Sequence, residues 1–166
     1  MKTSRKYGLL LLLLELGVVC ALALTVFLVL RNQVDRDKTP AELADAARTA
    51  QKNADSMRPA EDWELLKYYG IAAEEVEDFV LFLPASNMDA AELCVVKCSD
   101  DGSAAAALKN LRERLAEQTG LFENYGVEQM KLLDKARVFS IGPYAVFVSD
   151  EAAGDAEAAV RRAVKN

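Results

Sequence analysis

The sequence contains no histidine. That absence removes Ser-His and Cys-His nucleophilic catalysis, imidazole metal ligation and a histidine pH switch from the functions open to it. Cysteine is scarce, with 3 in 166 residues, so no disulfide framework is expected. Cys20 lies in an apolar run, whereas Cys94 and Cys98 lie in LCVVKCS, which reads as a strand. Four residues along a strand span about 13 Å on one face, too far for a bridge, so both are expected to be small buried hydrophobes. Basic charge is also in short supply. The formal net charge is −6, and from Arg31 onward 17 basic residues stand against 25 acidic ones, a net −8. This balance argues against nucleic acid, anionic polymers and anionic lipid headgroups as direct partners of that region.

What the sequence does have is one long apolar run over residues 9–30, LLLLLLELGVVCALALTVFLVL, interrupted only by Glu15. As a helix it would reach roughly 30 Å, about the hydrocarbon thickness of a bilayer, with its backbone polar groups satisfied internally. Lys2, Arg5 and Lys6 cluster directly before it, while Arg31, Arg36 and Lys38 after it are interspersed with Asp35 and Asp37. This clustering, together with the ease of translocating long domains, predicts the N-terminus inside and the rest outside. The expected division is a basic cytoplasmic tail (1–8), a transmembrane anchor (9–30), a linker and helical stalk (31–60) and an extracytoplasmic α+β domain (61–166). Two other readings stay open. Ala21-Leu22-Ala23 resembles a signal-peptide cleavage site, although apolar sequence continues through Phe27 and Leu30, and Cys20 can be read as a lipid-attachment residue, although Val19 stands where a small residue is expected.

Within the run, Glu15 is costly to bury, by about 2.5–3.5 kcal/mol on insertion scales, and Gly17, Ala21 and Thr25 recur every fourth residue as a small-residue stripe. The two features together point to self-association or to docking on another membrane protein. The plainer reading is that Glu15 is protonated or reaches the inner interface, and that such small residues are common in membrane helices.

After the anchor, Thr39-Pro40-Ala41-Glu42 is a helix start with a capping box, and the helix is expected to run to about residue 57. Residues 61–69 read as a short helix ended by Gly70, and 79–83 as an apolar strand stopped by Pro84. A second strand is expected over 92–98 and a long helix over 104–119, with Leu108, Leu111 and Leu115 facing the core. A short helix (127–134), a hairpin of 136–141 and 144–149 across Gly142-Pro143, and a terminal helix (156–164) complete the pattern. Two strand-strand-helix units in succession predict an antiparallel sheet of about four strands with its helices on one face, an α+β fold.

The residues Tyr69-Gly70-Ile71, Ala91-Glu92-Leu93, Val95-Val96-Lys97, Arg114, Gln118, Phe122, Tyr125, Gln129, Gly142 and Tyr144 resemble a bacterial family known as domain of unknown function 4358. The resemblance covers most of residues 63–164. It implies a membrane- or lipid-anchored extracytoplasmic protein and carries no assigned activity.

Candidate site residues follow from helical spacing. Arg114, Gln118, Phe122 and Tyr125 step along one face and combine a cation, an amide and two aromatics, a set able to bind a small carboxylate or a peptide end. The competing reading packs Phe122 and Tyr125 into the core and pairs Arg114 at the surface. Glu74, Glu75, Glu77 and Asp78, and separately Asp100-Asp101-Gly102, are acidic clusters without the spacing of a calcium loop, so no metal and no cofactor is expected. The leading expectation is a non-enzymatic module that binds a protein or peptide. A small-ligand domain using the Arg114/Gln118/Tyr125 face comes second, and a carboxylate-dependent hydrolase at the cell envelope third.

Overall fold

A computed structural model describes residues 14–27, 33–124 and 126–165. Residues 14–27 are one helix, α1, and Val34–Val164 form a separate compact unit. Among the described residues no helix is long and apolar enough to cross a membrane, and the two ends of the predicted anchor, 9–13 and 28–30, lie outside them.

The domain opens with α2 (Pro40–Ala50), started as its sequence dictates. The Thr39 hydroxyl accepts from the Glu42 N–H (3.3 Å), and the Glu42 carboxylate accepts from the Thr39 N–H (2.8 Å). The helix does not continue to residue 57. Buried Asp150 takes the N–H groups of Lys52 (3.0 Å) and Asn53 (2.8 Å), as well as that of Ala152 (2.7 Å), which holds the chain out of helical geometry. The freed segment supplies strand β1 (Met57–Pro59), which the sequence reading did not anticipate. Nor does α2 stand apart as a stalk: Leu43, Ala44 and Ala47 are fully packed, against α6 and the sheet.

The remaining elements are α3 (Asp62–Tyr69), β2 (Asp78–Pro84), β3 (Glu92–Lys97), α4 (Asp101–Phe122), α5 (Val127–Lys135), β4 (Arg137–Ile141), β5 (Tyr144–Ser149) and α6 (Ala153–Ala163). Gly70 ends α3 at φ +63°, where its N–H donates to the Leu66 carbonyl (2.9 Å). Asp100 caps α4 through the Ser103 N–H (2.8 Å). Gly142, at φ +54°, makes the two-residue turn between β4 and β5.

The sheet is antiparallel throughout, in the order β1-β2-β3-β5-β4, so it has five strands rather than four. The two strand-strand-helix units are present, and their second strands, β3 and β5, meet at the centre. Helices cover both faces, not one. Leu93, Val95, Val146 and Val148 pack under α2 and α6, while Cys94, Val96, Ala145 and Phe147 pack under α3 and α4. Every residue of β5 and all but the last of β3 are buried, as strands covered on both sides require. Cys94 and Cys98 are free thiols within the α3/α4 layer.

Candidate functional site

The predicted Arg114 stripe lies on the inner face of α4, not on an open surface. Arg114 and Gln118 are each 6% exposed and Phe122 3%, while Tyr125 is outside the described residues. Phe122 belongs to a small core under the α4–α5 junction with Ala90 and Leu133. Arg114 is not at the surface, where the competing reading of this stripe pairs it.

Arg114 points at a residue that the helical pattern does not reveal. Glu92, the first residue of β3, is fully buried, and its side chain lies on the α4 side of the sheet. Arg114 grips it with two bonds, Nε to Oε1 (3.1 Å) and Nη2 to Oε2 (3.0 Å), the fork geometry that makes arginine–carboxylate pairs strong. The Tyr69 hydroxyl at the end of α3 donates to the same Oε1. The Gln118 amide completes the set. Turned one way, its nitrogen donates to Oε2 (3.4 Å); turned the other, its oxygen accepts from Arg114 Nη1 (3.3 Å), which matches donors to acceptors better. Outside this core, Arg114 Nη1 reaches Glu117 (3.1 Å) and the guanidinium stacks 4.8 Å above the Tyr68 ring.

The electrostatics follow from burial. Desolvation works against the Arg114 charge, but the Glu92 carboxylate outweighs it and raises the guanidinium above its ordinary range. Burial, with Glu92 adding to it, pushes the Tyr69 hydroxyl and the Cys94 thiol well above theirs, so both stay protonated at neutral pH. Arg114 and Tyr69 between them engage both oxygens of Glu92. The network ties β3, α3 and α4 together.

Over its outer edge lies a cleft of about 360 Å³, lined by Arg58, Tyr68, Asp89, Arg114, Gln118 and Leu121 among others. Its second cation is also committed. Arg58 holds Glu64 through Nη1–Oε2 (2.9 Å) and Nη2–Oε1 (2.7 Å), and Glu64 also accepts from the Glu61 N–H (2.9 Å). The Arg58 bonds, opposed by burial and helped by Glu61, bring the Glu64 carboxyl down to about 2.

Part of each acidic cluster is engaged within the fold. Asp78 accepts from its neighbour's N–H at Phe79 (2.8 Å), Glu77 pairs with Lys97 (3.7 Å) and Asp101 with Arg36 (2.8 Å). Among the described residues no group of three or more acids and cysteines is placed to hold a metal ion. In α1, Glu15 is exposed, and Gly17, Ala21 and Thr25 share one face, with the Thr25 hydroxyl donating to the Leu22 carbonyl (2.8 Å). Glu92 is the residue that sequence reasoning missed as a site member. Its signal was a lone carboxylate heading the otherwise apolar run ELCVV.

No curated protein and no solved structure matches the chain. Residues 50–150, from the end of α2 to the residue after β5, match the family described as Domain of unknown function (DUF4358). That span contains Tyr69, Glu92, Arg114 and Gln118, the whole buried network, and the chain belongs to this family.

Proposed function

We propose that the protein is a membrane-tethered, extracytoplasmic module that acts without catalysis by holding a protein or peptide partner. The observation that carries the interaction reading is the outer surface of α3. Trp63 and Leu66, one helical turn apart, are 59% and 56% exposed, with the Lys67 ammonium 5.1 Å from the indole centre. Large apolar side chains displayed together, one of them an amphipathic ring beside a cation, are the composition of a protein-binding surface. The tether is supported by the apolar composition of residues 9–30 and by α1, whose large side chains from Leu14 to Phe27 are all exposed. A helix apolar on every side but for the single carboxylate of Glu15 needs either a protein core or lipid around it.

The test is cross-linking of the full-length protein in its native membranes, compared with the double variant Trp63→Asp/Leu66→Asp. The expected result is one recurrent, near-stoichiometric adduct that the variant loses while keeping the wild-type circular dichroism spectrum and melting temperature. The same adducts from both proteins would remove α3 as the contact surface. A second reading, a small carboxylate in the Arg58/Arg114 cleft, is favoured by that cleft's volume, which suits a small molecule. It requires a ligand that displaces Glu117 or Glu64 from an arginine.

A further inference from the structure

Strand β2 is longer than the strand that covers it. β1 pairs only with Phe82–Pro84, and the Ala60 N–H adds one bond to the Leu81 carbonyl (2.9 Å) before α3 leads the chain away. Upstream, Asp78–Val80 pairs with β3 on one side and, among the described residues, with no strand on the other. A groove of about 420 Å³ runs along this open edge. Phe79 and Val80 line it and are half-buried; Asp62, Glu77 and Asp78 line it and are exposed. Glu77 is paired with Lys97, but among the described residues no cation is within ion-pair distance of Asp62 or Asp78.

Such an edge is a template for one more strand, and proteins that keep one open either guard it or use it. Here the guard is light: the Asp78 carboxylate covers the Phe79 N–H by a single turn of its own side chain. Charge decides the occupant. A second copy of this chain meeting edge to edge would set Asp62 and Asp78 against themselves in a region already at net −8. An extended segment bearing Lys or Arg would instead find two carboxylates without an ion-pair partner beside the Phe79 backbone, whose N–H Asp78 would release to it. We propose that the β2 edge binds an extended basic peptide segment of the partner as an added strand. It lies alongside Asp78–Val80 and bonds to the Phe79 backbone in place of the Asp78 side chain, and its cations lie against Asp62 and Asp78. The inference rests on the interaction reading above and names the chemistry of the partner.

The test uses the full chain and three fluorescent peptides of about eight residues. The first alternates Lys with Val, the second replaces each Lys by Glu, and the third is the Lys peptide with every second backbone nitrogen methylated. Anisotropy titrations should show binding of the first, no binding of the second, and a loss of about tenfold or more for the third, because methylation removes the ladder donors without touching charge. The variant Asp62→Lys/Asp78→Lys should reverse the preference between the first two by a similar factor. Equal binding of the methylated and unmethylated Lys peptides would reduce the effect to charge adhesion and overturn strand addition. Absence of any Lys-peptide binding would overturn the proposal outright, as would a dimer in sedimentation that Asp78→Lys dissociates. If the peptides fail while the α3 adduct persists, only the edge assignment falls; if the α3 adduct is also missing, the interaction reading falls with it.

Discussion

Replacing Arg114 by methionine leaves the Glu92 carboxylate in a site with no exposed surface, keeping only the Tyr69 hydroxyl and, once the Gln118 amide turns its nitrogen inward, that amide as partners. Breaking a buried pair from one side costs about 3–5 kcal/mol. With a urea slope of about 2 kcal/mol/M for a domain of this size, the midpoint of Arg114→Met should fall by about 1.5–2.5 M. The double variant Glu92→Leu/Arg114→Met removes both charges together. Apolar replacement of a whole buried pair is neutral or stabilising by about 1–4 kcal/mol, offset by about 1–3 kcal/mol for the stranded Tyr69 hydroxyl. Its midpoint should therefore lie within about 1.5 M of wild type and above that of the single variant. The assay is urea titration of the full chain followed by far-ultraviolet circular dichroism, because Trp63, the sole tryptophan, is too exposed to report unfolding well. A fall of less than about 0.5 M for the single variant would refute the reasoning. Arg114 would then hold no partner charge in the core and would be available to a ligand.

Leu43→Ala should cost about 2–5 kcal/mol in the same titration because its side chain is fully buried, whereas a free stalk helix would lose almost nothing. The Arg58–Glu64 pair predicts an acid limb. Glu64 falls from 4.5 to about 2 in the fold, so its contribution is complete above its unfolded value and disappears as the pH drops toward 2. The stability gap between wild type and Arg58→Gln should accordingly be widest near neutral pH and close by about pH 2; a gap independent of pH would contradict it. Cys94 and Cys98 are buried, and burial raises both thiols, so a maleimide should label them only after denaturation. Labelling of Cys94 at the rate of a free thiol in the native protein would count against the α3/α4 layer.

Local signals carried far in this chain. The Thr39 capping box, the Gly70 stop and the Gly142-Pro143 turn each depend on a few adjacent residues, and each is where the sequence places it. The elements that escaped depend on distant ones. The end of α2 is set by Asp150, about a hundred positions away, and β1 is a strand only because β2 lies beside it. The two-sided cover was legible in retrospect, since LCVV and YAVFV are apolar at successive positions and leave no polar face for water. The Arg114 stripe was found by its helical period, but period alone does not tell which side of a helix faces inward. What turned it inward is Glu92 on another element, whose pairing with α4 no local pattern encodes.

The most direct test of the whole account compares two positions for a photo-crosslinking residue in the full-length protein, in native membranes: Leu66 on the exposed side of α3, and Leu121 at the Arg114 cleft. Both side chains are exposed, so either substitution should be accommodated. If the partner binds at α3 and the buried Arg114–Glu92 pair serves the fold, Leu66 gives one recurrent adduct and Leu121 gives only scattered neighbours. A single adduct from Leu121 with none from Leu66 would contradict the account and return the function to the cleft.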